Sequence, residues 1–331
     1  MPTRGCGPGA LLRARGGTVS TASVAVGLAL ALDLTLAELP TTVHPVAWFG
    51  RLLAPLDREW HTPRLVGGIG VLFLPSLAAV FTGVGIVAVG QRWRWVGVAA
   101  AGGVLFVTTS FRLLVRTATE VSVASERDLS TARTQLRALA GRDATTLSAS
   151  QVRSAAVESA AENLADGLVA PLGAFVVGVG IANAAGVAPA GALALGSGLA
   201  VWVKAINTMD SMLGYQSKPV GWAPARLDDA VMWVPARASA LLLAVAALAP
   251  TALPSAARWT HAVPSPNSGW PMGVLAAVVD VRLEKPGVYV LNPDADLPTV
   301  DAARRGVRTV AVAGLLAYTL AVALLVVPVV I

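Results

Sequence analysis

Between Asp166 and Lys204 the chain reads GLVAPLGAFVVGVGIANAAGVAPAGALALGSGLAVWV (167–203), 37 residues without an Asp, Glu, Lys or Arg. A helix needs about 20 apolar residues to cross a hydrocarbon core roughly 30 Å thick, so the stretch is too long for one span. Its middle, Asn183 to Pro189 (NAAGVAP), supplies the Gly and Pro of a turn. The segment therefore predicts two membrane helices joined as a hairpin.

The same pattern recurs on both sides. Charge-free gaps of 27, 17, 20 and 23 residues occupy 65–91, 95–111, 238–257 and 309–331. Over all 331 residues, 55% are hydrophobic and 13% charged, against roughly a quarter charged in a soluble domain. Residues 65–91 and 95–111 read as another hairpin, with Trp93 and Trp95 at its turn suiting the membrane interface. The first apolar stretch, Val19 to Leu32, is closed by Asp33 and Glu38 before Pro40. Its Arg-bearing start also fits a cleaved signal peptide, but Asp33 and the motif after it read as continuing protein. Between Arg237 and Arg258, Pro250 and Pro254 leave too short an apolar run to span, so that piece is expected to re-enter. The predicted architecture is all-α: a polytopic integral membrane protein of about six transmembrane helices, a re-entrant segment and polar loops. Residues 1–331 form one membrane-embedded unit in this reading.

This arrangement places residues 40–64, 112–166 and 204–308 on one face, and 1–18, 91–95 and 183–189 on the other. Of the 25 Lys and Arg, only Arg4, Arg13, Arg15, Arg92 and Arg94 fall on the second face, and all 19 acids fall on the first, counting Asp33 and Glu38 at the end of the first helix. Excess positive charge marks the first face as cytoplasmic, although the three N-terminal arginines oppose that mildly. The net charge of +6 comes from basic residues scattered among acids, with no aromatic-interleaved basic stripe, so no nucleic-acid partner is expected. Cys6 is the only cysteine, which excludes a disulfide framework and a cysteine metal site.

The polar face carries three constellations. Ser148 and Gln151 form an S-x-x-Q capping box opening a helix expected to end near Ala165. On that helix Glu158 and Glu162 are i,i+4 neighbours, Ser159 and Asn163 lie beside them, and Asp166 is one turn further. Like charges at this spacing repel unless a cation lies between them, although a solvated face with ordinary salt bridges is an equally good reading. The next helix ends in KAINTMDSM, which places Lys204, Asn207, Thr208, Asp210 and Ser211 within eight residues. Third, Arg226 precedes Asp228 and Asp229, and Arg237 follows. Adjacent carboxylates suit Mg²⁺ shared with phosphate, and the arginines suit phosphate or carboxylate. His44 and Arg51 follow the first helix, where a lone His is more often packed than catalytic. No P-loop, dinucleotide fingerprint, H-E-x-x-H or G-x-S-x-G occurs.

In order, the strings HPVAWFGRL (44–52), GRDATTL (141–147), AAVESAAENLADG (155–167), KAINTMDSMLGY (204–215), ARLDD (225–229), PAR (235–237) and SPNSGWP (265–271) resemble the CobD/CbiB family of cobalamin biosynthesis, the adenosylcobinamide-phosphate synthases. The resemblance runs from about Asp33 to Tyr289. It implies an enzyme of the inner (cytoplasmic) membrane that uses ATP and Mg²⁺ to join adenosylcobyric acid to (R)-1-aminopropan-2-ol or its O-phosphate, giving adenosylcobinamide or its phosphate. The implied partners are these substrates, the lipid bilayer and other corrinoid-assembly enzymes.

Matched position by position, the resemblance points to Glu158, Glu162, Asp166, Asp228 and Asp229, whose chemistry suggests metal ligands. It points also to His44, Arg51, Arg142, Asn163, Asn207, Thr208, Ser211, Arg226, Arg237 and Asn267, whose chemistry suggests substrate or phosphate contacts. Residue chemistry then suggests Lys204 as a charge clamp and Asp210 as general base. The chain departs from the pattern at Leu164, at Met232 and around Glu284–Lys285; the first two remove hydrogen-bonding groups from expected site walls. The rival reading is a non-catalytic scaffold or transporter. Transporters carry ionisable groups near the bilayer midplane, whereas the mid-span positions here are charge-free.

Overall fold

The computed structural model describes residues 20–36, 38–141, 143–215 and 217–326. Fourteen helices and one short hairpin make up this part of the chain: α1 Thr21–Leu36, α2 Pro45–Leu53, α3 Pro63–Arg92, α4 Arg94–Thr108, α5 Phe111–Arg127, α6 Leu129–Leu139, α7 Ala149–Leu164, α8 Ala170–Ala184, α9 Pro189–Leu213, α10 Trp222–Val231, α11 Trp233–Ala246, α12 Ala252–Ala257, α13 Gly269–Val279 and α14 Val300–Val326, with strands β1 Leu283–Lys285 and β2 Tyr289–Leu291. Five helical stretches are long and apolar enough to cross a membrane: α3, α4 running on into α5, α7 running on into α8, α9, and α14. The described first helix has 16 residues, about 24 Å at 1.5 Å per residue, which is short for a span.

Both expected hairpins are present. Helices α3 and α4 meet at Trp93, and α8 and α9 at residues 185–188, where Gly186 takes φ +70°. Small residues let α8 and α9 approach closely: a methyl group built on Gly178 would lie 2.8 Å from the Gly196 α-carbon. Bilayer helices pack this way because lipid supplies no hydrophobic drive between them, leaving close van der Waals contact to hold the pair. On α3, Leu65, Leu72, Phe73, Val80 and Phe81 are exposed, as suits a helix facing lipid.

Helix α7 ends at Leu164, close to the expected end near Ala165, but the helical path does not stop there. The chain passes through a single π-turn, Ala165–Val169, and continues as α8. Pro171 explains the widening, since it has no N–H to donate back to Gly167. The Gly167 carbonyl accepts instead from the Ser110 backbone N–H at 3.0 Å. Ser110 lies in the break between α4 and α5, and that break is also served from α1. The Asp33 carboxylate, fully buried, accepts from the backbone N–H groups of Phe111 (3.1 Å) and Arg112 (2.8 Å). Asp33 therefore does more than mark a membrane exit: it caps α5, where the helix dipole favours negative charge.

The segment expected to re-enter turns back within the bundle, and the bent helix pair that leads into it, by length and composition a broken span or a re-entrant loop, begins earlier than Arg237. Helices α10 and α11 meet at a 47° bend. Helix α11 has 14 residues, about 21 Å, too short to span. The chain reverses around Leu248 (φ +53°) and by Asn267 is back at its starting end, where the Asn267 amide donates to the Asp229 carbonyl at 2.8 Å. Helix α10 carries Arg226, Asp228 and Asp229. The hairpin β1–β2 is antiparallel, with Lys285 opposite Tyr289.

The α8–α9 contact yields a direct test. Gly178→Leu should lower the melting temperature of the detergent-purified protein by several degrees or prevent its recovery. Gly173→Leu, where a side chain meets nothing within 4 Å, should leave it unchanged.

Candidate functional site

Five carboxylates from three helical segments line one open cavity of about 460 Å³ at the polar end of the bundle. Glu162 comes from the last turn of α7, Asp166 from the π-turn, Asp210 from α9, and Asp228 and Asp229 from α10. Three cationic side chains, Arg64, Lys218 and Arg226, share the lining with Tyr215 and Trp222. Arg64 lies over the Trp222 ring and Lys218 over the Tyr215 ring, with 5.5 and 5.2 Å to the centroids. Lys218 also pairs with Asp57 at 2.7 Å, and Arg226 approaches Asp229 at 3.8 Å.

Each acid is held differently. Glu162 Oε1 accepts from the Ser268 hydroxyl at 2.7 Å. The Asp210 carboxylate lies against the Gly214 α-carbon, where any side chain would displace it. Asn207, largely buried, faces both Asp166 and Asp228. Burial, followed by the neighbouring Asp210 charge, pushes the Asp228 carboxyl up to about 7. Asp229 is also raised by burial, against the pull of Arg226. Asp228 Oδ1 is buried without a hydrogen-bond partner, which is costly unless a ligand or cation answers it.

A smaller, more polar cavity of about 280 Å³ lies on the other side of Glu162, Asp166 and Asp210, which line both spaces. It also takes in Asn163, Asn207 and Ser211, as the sequence suggested. The hydroxyls of Ser211 and Thr208 bond their own helix, to the carbonyls of Asn207 and Lys204, each at 2.8 Å. Lys204 and Thr208 line neither polar cavity. They face a separate apolar groove of about 480 Å³ beside Trp48, Phe49 and Leu52. Lys204 remains close enough to Asp166, Glu38 and Asp228 to feel their charges.

Several expected site residues have other partners. Glu158, fully buried, accepts from Ser154 and Tyr289 hydroxyls, each at 2.7 Å, and so ties the hairpin to α7, one turn away from the carboxylate cluster. Arg237 donates to Asn267 Oδ1 (3.1 Å) and lies over the Trp233 ring, bracing the returning loop against α11 rather than lining a cavity. Asn267 lines the open cavity, but its amide is spent on that brace. His44 caps α2 by accepting from Val46 N–H, while its Nε2 lies 3.0 Å from Glu38. The exposed Arg51 approaches the Thr41 carbonyl at 3.4 Å. Arg142 lies outside the described residues. Leu164 is fully buried in the core, so the expected site wall there does not exist, whereas Met232 does line the open cavity.

Sequence reading missed Arg64, Tyr215, Lys218, Trp222 and Ser268. Only Tyr215, at the end of KAINTMDSMLGY, and Ser268, inside SPNSGWP, carried a signal. Arg64 appeared solely as the edge of an apolar gap.

The family model described as CobD/Cbib protein matches residues 26–321 of this chain. Among curated proteins, the probable cobalamin biosynthesis protein CobD of Methanothermobacter thermautotrophicus is 32% identical over 282 residues, covering 81% of this chain and 86% of that one. Cobalamin biosynthesis protein CobD of Rhodobacter capsulatus is 35% identical over 277 residues, covering 80% and 82%. Cobalamin biosynthesis protein CbiB of Salmonella typhi is 32% identical over 300 residues, covering 85% and 87%. No solved structure matches the chain.

The raised Asp228 carboxyl gives a pH-dependent outcome. Between the ordinary carboxylate value of 3.8 and about 7, the folded state holds a proton that the unfolded state has lost, so Asp228 makes stability fall as pH rises through that window. Asp228→Asn removes the loss. Without divalent cations it should raise the melting temperature by a few degrees at about pH 8 and have little effect near pH 4.

Proposed function

Because the chain belongs to the CobD/CbiB family of cobalamin-biosynthesis proteins, we propose that it is an ATP-dependent amide-forming ligase joining adenosylcobyric acid to (R)-1-aminopropan-2-ol or its O-phosphate. The observation that carries this reading is the wall of Glu162, Asp166 and Asp210, with a wide, cation-rimmed cavity on one side and a small polar one on the other. Joining a carboxylic acid to an amine with ATP requires a place for a bulky anion, a place for a cation and a boundary at which they meet.

A carboxylate is a poor acyl donor until its oxygen leaves as phosphate. In the proposed reaction the corrinoid carboxylate takes the terminal phosphoryl group of ATP, releasing ADP, and Arg64, Lys218 and Arg226 attract the anions to the open cavity. The bound ammonium gives up one proton and attacks the acyl carbon. The carbon–oxygen bond to phosphate then breaks, and the nitrogen loses its second proton. Asp210 lines both cavities and is placed to take one of these protons.

Among the described residues no three acids converge closely enough to hold a metal ion by themselves. Mg²⁺ fits nonetheless, because it usually takes one or two carboxylates and completes its shell with water and phosphate oxygens. Asp228, with its unpartnered oxygen, and Asp229 or Asp210 are the groups that would hold it. When bound, Mg²⁺ would neutralise phosphate charge. Lys204 acts in this scheme from behind the wall, offsetting the charges of Asp166 and Asp228 rather than gripping phosphate directly.

The site is proposed to face the cytoplasm from the cell's inner membrane, where ATP is available and where the charge distribution places the polar loops. Cysteines introduced singly at Thr146 and Ala185 in a Cys6→Ser background test this. Impermeant reagents should label position 185 in intact cells with a permeabilised outer membrane, and position 146 only after lysis; the reverse pattern overturns the orientation.

Activity is tested with detergent-purified protein, adenosylcobyric acid, ATP, Mg²⁺ and either amine, by mass detection of the amide. Asp210→Asn should lower turnover at least about 100-fold, the lower range for loss of a general base. Glu162→Gln should raise the Mg²⁺ requirement or abolish turnover. Lys204→Met should weaken activity less than Asp210→Asn. Absence of amide with either amine would refute the ligase reading.

A further inference from the structure

The small cavity has a charge pattern of its own. Glu162, Asp166 and Asp210 face it from α7, the π-turn and α9; Asn163 and Asn207 add amides; Lys285 enters from β1. Lys285 is half-buried and forms no ion pair among the described residues. Its surroundings are tied down: the Glu284 N–H donates to the Ser154 hydroxyl at 2.8 Å, and Tyr289, paired with Lys285 across the hairpin, donates to Glu158. The same interactions that remove Glu158 from the carboxylate wall thus hold a lysine over the cavity.

A volume of about 280 Å³ lies at the lower edge of the roughly 300–1,000 Å³ of drug-sized sites, which suits a short molecule better than a nucleotide or corrin. The lining favours a short molecule with a cation at one end and an anion at the other. Three carboxylates suit an ammonium. An ammonium side chain on a rigid hairpin suits a phosphate as a compact point charge. A neutral hydroxyl in the same place would leave Lys285 without its counter-charge, and electrostatic discrimination of this kind is a difference between two ligands rather than a gain for one.

Resting on the ligase reading above, we propose that the small cavity is the amine pocket and that Lys285 is the specificity-determining residue that selects an amine bearing a phosphate ester over the free amino alcohol. The amine nitrogen then lies against the shared carboxylate wall, next to the cavity that takes the acyl group.

Binding and turnover are measured separately so that the pocket and the reaction can fail independently. Full-length protein in detergent is titrated calorimetrically with (R)-1-aminopropan-2-ol O-phosphate and with the free amino alcohol, without ATP or corrinoid, for the native chain, Lys285→Met and Lys285→Arg. The native protein should bind the phosphate ester about tenfold or more tightly than the alcohol, as expected for a charge-assisted contact. Lys285→Met should remove most of that preference, and Lys285→Arg should retain it with an unchanged melting temperature. In amide formation, Lys285→Met should lower kcat/KM for the phosphate ester by about tenfold more than for the alcohol. Equal binding of the two amines by the native chain, binding of neither, or a preference that survives Lys285→Met overturns the assignment. Lys285-dependent binding without amide formation would refute the ligase reading and support the pocket.

Discussion

A backbone polar group inside a bilayer has no water to turn to, so each interruption of a spanning helix must be answered by another part of the protein. Two interruptions are answered at one place here. Pro171 frees the Gly167 carbonyl, which takes the Ser110 N–H, and the start of α5 is met by the Asp33 carboxylate. Helices α1, α4, α5, α7 and α8 are thereby fastened together at the edge of the apolar region. Arg112 adds to the fastening by donating to the Leu34 carbonyl at 2.6 Å.

The site depends on this seam. The π-turn carries Asp166 to the cavity. Opposite it, the close packing of α8 on α9 sets the position of Asp210, and the re-entrant segment returns Ser268 to Glu162 and Asn267 to α10. Three separate parts of the chain are thus brought to one carboxylate wall. Such a wall is electrostatically unfavourable by itself, because it gathers like charges in one place. Its persistence beside an unpartnered Asp228 oxygen is the kind of unrelieved polar burial that concentrates where ligands bind.

The wall is surrounded by braces built from motif residues. Arg237 and Asn267 form one brace, His44 and Glu38 another, and Ser154, Glu158 and Tyr289 a third. The first and third join elements distant in sequence. Their residue types match those of a phosphate or metal site because the same hydrogen-bonding and ion-pairing capacity serves both purposes.

Apolar runs and charge gaps were enough to determine the two hairpins, because these follow from the chain's local contest between water and lipid, and the S-x-x-Q spacing was enough for the capping box at Ser148. The sequence also brought out Glu162, Asp166, Asp210, Asp228 and Asp229, although not which of them stand together. Glu158 and Glu162 show why. Spacing of i,i+4 places two side chains on one helix face, but it says nothing of what covers that face, and here the β-hairpin covers Glu158 while Glu162 remains at the cavity. Pro171 was visible in the sequence without revealing that Ser110 would replace its missing donor. Arg64 and Lys218 had no local signature at all. Their place in the site was decided only when α3 and the segment after α9 packed against α10, since long-range packing depends on the partner surface as much as on the residue itself.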